Sequence, residues 1–136
     1  MVSFTLLAVG LTVLLSTYLY LRPSPQPFVS ANRGVLAELP VYPGSRSIGE
    51  TTSPVYDGDN ALARVVDYTT TQTFVLPHRL SSLTVVGWYL EQLRSRCVRE
   101  VLDGPAADFT CGTAIVSVDA GGPLFTRRYE ITIGSR

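Results

Sequence analysis

The first 21 residues, Met1 to Leu21, contain no charged side chain, and Arg22 closes the run. At about 1.5 Å per residue, a helix over Val2–Leu21 spans roughly 30 Å, the thickness of a bilayer's hydrocarbon core. The sequence therefore predicts a single transmembrane helix over 1–22, with the rest of the chain outside the lipid. A cleavable signal peptide is the rival, since Val29-Ser30-Ala31 offers small residues of the kind a signal peptidase accepts. No basic residue precedes the run, however, and it exceeds the roughly 7–15 apolar residues of a typical signal-peptide core. An uncleaved anchor fits better.

Within this segment Ala8, Thr12 and Ser16 recur every fourth residue. Small residues at that spacing let helix backbones approach closely in lipid, so they mark a helix–helix interface with other subunits of a membrane complex. Tyr18 and Tyr20 stand at the exit, where amphipathic aromatics favour the headgroup layer. Arg22, Arg33 and Arg46 follow the run and argue for a cytoplasmic C-terminal part. The cysteines argue the opposite and decide the orientation.

The 115 residues after Leu21 suffice for one small domain and a linker. Charge is balanced, with 11 basic and 11 acidic residues and no basic run, which excludes a nucleic-acid partner. Residues 23–40 read as an extended linker, because Pro23, Pro25 and Pro27 alternate with polar residues. Residues 41–136 form the domain. Val41 to Asn60 reads as irregular chain; Ala61–Leu76 as one long strand, or two broken near Thr70, ended by Pro77; Ser82–Arg96 as a helix capped by Ser81. Leu83, Val86, Tyr89, Leu90 and Leu93 share the apolar arc of that helix. Strands follow at Cys97–Leu102, Phe109–Val118 and Leu124–Ile133. In the last, Phe125, Tyr129, Ile131 and Ile133 alternate with Thr126, Arg128, Glu130 and Thr132, so one face is buried and one wet. The expected architecture is a two-layer α+β domain, β-α-β-β-β, with one helix on an antiparallel sheet.

Cys97 and Cys111 flank a hairpin centred on Gly104. Pairing Val98 with Thr110 and Arg99 with Phe109 sets the cysteines opposite one another, near disulfide reach. Persistent disulfides belong to oxidising compartments, which predicts an extracytoplasmic domain and a cytoplasmic N-terminus.

No motif names a reaction. Gly44 to Thr51 has the spacing of a phosphate-binding P-loop, but Glu50 stands where the lysine is required. His78 is the only histidine, which rules out multi-histidine metal sites. Asp57-Gly58-Asp59-Asn60 lacks the later ligands of a calcium loop and reads as a turn. GxSxG is absent. An acid–base pair drawn from Asp67, Glu100 or Glu130 is the most an enzyme reading can offer. Neither a cofactor nor a metal is expected. Val85, Trp88 and Gln92 fall outside the helix's apolar arc and form a candidate docking surface, since tryptophan is enriched in interface hot spots.

The resulting expectation is a non-catalytic accessory subunit or assembly partner of a larger membrane complex, of the respiratory or photosynthetic kind. The alternative is a membrane-tethered sensor with a small-ligand pocket between helix and sheet, using Arg127 or Tyr129.

Overall fold

The structure is a computed structural model that describes residues 9–17, 23–59, 63–122 and 124–135. Residues 9–17 form a helical segment, α1, and α2 (Gln26–Glu38) and α3 (Ser82–Leu93) follow. The described residues include six strands: β1 (Arg46–Tyr56), β2 (Val65–Ser81), β3 (Val98–Asp103), β4 (Ala106–Cys111), β5 (Ala114–Asp119) and β6 (Phe125–Ser135). They make one antiparallel sheet in the order β1-β2-β6-β5-β4-β3.

The fold class expected from sequence is corrected in three respects. First, no helix among the described residues is long and apolar enough to cross a membrane, so the transmembrane helix is not supported. Of the apolar run, the described helix is α1, residues 9–17, shorter than the roughly 20 residues a crossing requires. Most of the apolar run, including Ala8, lies outside the described residues.

Second, the expected extended linker is largely α2. Pro25 occupies its N-cap and Pro27 its first turn, where a missing N–H costs no hydrogen bond and the fixed φ suits a helix. The prolines that suggest an extended chain therefore start a helix instead. Val29 and Asn32 bury its inner face, with Val35, Leu36 and Leu39 packed at the edge of the core. Asn32 Nδ2 donates to the Tyr68 carbonyl at 2.8 Å and to Thr70 Oγ1 at 3.2 Å, fastening α2 to β2. Arg33 grips Glu50 on β1 from the same helix, at 2.6 Å.

Third, the sheet has six strands where four were expected. Arg46–Tyr56 is a strand, not irregular chain, and the single expected strand Phe109–Val118 is a hairpin turning at Gly112. Gly104 and Gly112 hold φ of +53° and +66°, a region that glycine enters without steric cost. Pro77 does not end β2. The register between β2 and β6 shifts between Val75 and Leu80, and Pro77, which cannot donate to a ladder, sits in that break.

After β2 the chain crosses to the far edge through α3, then returns by the β3-β4-β5-β6 meander until β6 pairs with β2. The core lies between α3 and the sheet. Val85, Val86, Tyr89 and Leu93 meet Phe74, Leu76, Phe109, Val116, Val118, Tyr129, Ile131 and Ile133. The apolar arc of α3 is thus rotated from the expected one: Val85 is buried, whereas Leu83 is 63% exposed. Ser82 explains the rotation. Its buried hydroxyl donates to the Gly122 carbonyl at 2.5 Å and its N–H to the Leu124 carbonyl at 3.1 Å, turning Ser82 inward and its neighbour Leu83 out.

The edges differ. β1 carries Pro54 and two register shifts, at Ser47/Gly49 and Val55/Tyr56, and its Glu50 is held by Arg33. These are features that blunt an edge against further pairing. β3 is short and wholly exposed, and it has a strand neighbour on one side only.

A candidate interaction surface at the β3 edge

β3 is built from the hairpin that the cysteines staple. Val98 pairs with Thr110 and Arg99 with Phe109, the expected register, and Cys97 and Cys111 form a disulfide with Cα atoms 4.4 Å apart. A shift follows between Arg99 and Val101, so the strand kinks at Glu100, whose carboxylate accepts from Thr110 Oγ1 at 2.9 Å. Three large apolar side chains stand in solvent along this edge: Val98 (66% exposed), Val101 (52%) and Leu102 (49%). Val101 pairs with Asp108 and Leu102 with Ala107, so the two project to opposite faces of the sheet. Among the described residues, no other strand meets the outward backbone N–H and C=O groups of β3. Apolar side chains flanking a row of free backbone groups are what strand addition uses.

The open face of the sheet has a different chemistry. The ladders align Thr51, Thr71, Thr132, Ser117 and Asp108 in one row across five strands. Thr71 and Thr132 hydroxyls bond at 2.8 Å, Ser117 donates to Asp108, and Thr73 donates to Glu130 at 3.3 Å. These polar groups satisfy one another across the strands, so the face resembles ordinary wet sheet surface.

The docking surface expected on α3 does not assemble. Val85 is buried, Gln92 is exposed, and Trp88 is half-buried, with Tyr42 at 5.2 Å and Tyr89 at 4.8 Å. The segment before β1 covers the tryptophan. Of the proposed membrane-helix stripe, Thr12 and Ser16 fall one turn apart on α1 and Ala8 is outside the described residues.

The expected ligand pocket between helix and sheet is occupied by aromatics. Phe74 stacks on Tyr129 at 4.9 Å between ring centres, and Tyr89 leans on Tyr129 at 5.6 Å. The Tyr129 hydroxyl accepts from Tyr89 at 3.1 Å and from the Tyr42 N–H at 3.2 Å, and lies 3.0 Å from Ser45 Oγ. Ser45 in turn donates to the Tyr42 carbonyl. Sequence reasoning placed Tyr129 in the core but had no signal for this four-residue network.

Burial, and then the bond to Tyr129, push the Tyr89 phenol far above its usual 10.0. Below about pH 10 it is protonated in folded and unfolded chains alike. Above that the unfolded chain releases a proton that the folded one keeps, so stability falls as pH rises, by up to about 1.4 kcal/mol per pH unit. Urea unfolding at pH 10 to 12 should show that decline, and Tyr89→Phe should flatten it.

The carboxylates named as a possible acid–base pair serve separate partners. Asp67 accepts from the Ser135 N–H at 2.9 Å and hydroxyl at 2.7 Å, Glu100 from Thr110, and Glu130 from Thr73. Asp57 accepts from the Arg64 N–H at 2.7 Å and its own N–H donates to the Arg64 carbonyl at 3.0 Å, bonds that join residues seven apart and not a local Asx turn. Among the described residues no three His, Cys, Asp or Glu side chains are grouped to hold a metal ion. No protein-family model, curated protein or solved structure matches the chain.

Proposed function

We propose that this domain is a non-catalytic interaction module, an accessory or stabilising partner of a larger assembly, that receives an extended segment of another protein on the free edge of β3. The observation that carries this is the set of exposed apolar residues Val98, Val101 and Leu102 on an edge strand with unmatched backbone groups. An added strand would satisfy those groups and cover side chains from both faces, each contributing up to about 1.5–3 kcal/mol if fully buried. The disulfide adjoining β3 supports an oxidising compartment for the encounter and keeps the edge formed before a partner arrives.

The test is a comparison of the wild-type chain with a Val101→Lys, Leu102→Lys variant. Lysine on an edge strand repels further pairing without disturbing a core, so the melting temperature should change by no more than about 2 °C. Cross-linking in the native host should capture a stoichiometric protein partner with the wild type and at least tenfold less with the variant. Equal capture of the same partner by both chains excludes the β3 edge.

A further inference from the structure

We infer that a cleft at the opposite corner of the sheet, between the start of β1, the register break in β2 and β6, binds a phosphate group through Arg46, His78 and Arg127. The cleft has a volume of about 410 Å³, and those three residues line it together with Gly44, Val75 and Pro77. Leu76, buried, also reaches it from the core side. No carboxylate lines it.

Charge placement is the first support. The chain is neutral as a whole, with 11 arginines against 11 acidic residues. Arg33, Arg64 and Arg94 are each paired with a carboxylate, at 2.6, 3.5 and 3.0 Å. The side chains of Arg46 and Arg127, both exposed, make no ion pair or side-chain hydrogen bond among the described residues, and both line the cleft. Like charges gathered without a counterion repel and cost stability, and an anion in the cleft relieves that cost.

Local geometry is the second. The walls come from three strands and are held by backbone features, not by flexible loops. Gly44, at φ +76°, approaches so closely that a Cβ there would lie 3.1 Å from the Pro77 ring. Pro77 lies in the break in the β2–β6 ladder, and His78, which follows it, lines the cleft together with Arg46 of β1 and Arg127 of β6. The candidate donors thus come from three strands. A carboxylate is satisfied by one guanidinium fork, whereas a phosphate presents acceptor oxygens on all sides and suits three separate donors. Glu50, which spoils the P-loop spacing of Gly44 to Thr51, is turned to Arg33 of α2 and absent from the cleft wall. The anion is met by side chains of that segment and its neighbours, not by a P-loop backbone.

Phosphate reaches such a site either as a soluble ester or as a lipid headgroup, and the probes separate the two. The full chain is titrated with inorganic phosphate, read by calorimetry and by the rise in melting temperature, and then with phosphatidylcholine vesicles with and without phosphatidate. Saturable binding of free phosphate is expected, weakened at least tenfold by Arg46→Ala or Arg127→Ala and less by Arg46→Lys. Arg64→Ala, which removes the same charge at the other end of β2, should leave it unchanged. Binding only to phosphatidate vesicles, with the same variant pattern, assigns the site to a headgroup. Absence of binding to either probe, or equal weakening by Arg64→Ala, overturns the inference. None of these variants touches β3, so failure here leaves the strand-addition proposal standing.

Discussion

Replacing Tyr129 with alanine should destabilise the domain by about 3–5 kcal/mol, a large share of the 5–15 kcal/mol that holds a typical domain folded. Two losses combine. The ring is fully buried and stacked on Phe74, and removing it empties the space between α3 and the sheet. Its hydroxyl is also the acceptor for the Tyr89 O–H and the Tyr42 N–H. Tyr129→Phe separates the two: the ring remains, and the orphaned buried donors cost about 1–3 kcal/mol. Urea unfolding of both variants gives the two values. If Tyr129→Phe matches the wild type, the hydroxyl network is not a stabilising element and packing alone sets the loss.

Removing the disulfide as Cys97→Ser with Cys111→Ser should cost about 3 kcal/mol, the closure entropy of a loop of roughly 15 residues. The cysteines are 14 residues apart in sequence. In melting temperature the loss is on the order of 10 °C for a domain of this size. The effect should also be local. β3 is exposed along its whole length and pairs with β4 alone, so the cross-link opposes fraying of that strand more than of any other. Hydrogen exchange in the double variant should therefore quicken most at the amides of Val98–Asp103. A uniform increase across the sheet would mean that the bond acts on the unfolded chain alone.

The parts of the fold that were legible in the sequence are those set by alternation and by turn residues. The even spacing of Tyr129, Ile131 and Ile133 gave the buried face of β6, and Gly104 gave the hairpin whose register joins Cys97 to Cys111. Elsewhere tertiary contacts overrode local signals. Pro23, Pro25 and Pro27 favour extended chain until Asn32 and Phe28 find partners on β2, and then two of the same prolines start a helix. β1 carries glycine, proline and serine, which disfavour strand, and forms one because β2 supplies a ladder along most of its length. Leu83 fits a helical arc on paper, but the inward hydroxyl of Ser82 sets the rotation of α3. Neither proposed site could be read in advance. The β3 edge depends on where the meander ends in the sheet, and the cleft gathers Arg46, His78 and Arg127 from positions as many as 81 residues apart.

The unequal edges of the sheet govern how far association can proceed. A sheet receptive on both sides can recruit strand after strand and grow into a filament. Here Pro54, the two irregularities of β1 and the Arg33–Glu50 clasp close one side, so an incoming strand at β3 finds no onward site on the same molecule. Under the proposed strand addition, growth would stop after one step and the complex would keep a fixed stoichiometry even at high local concentration.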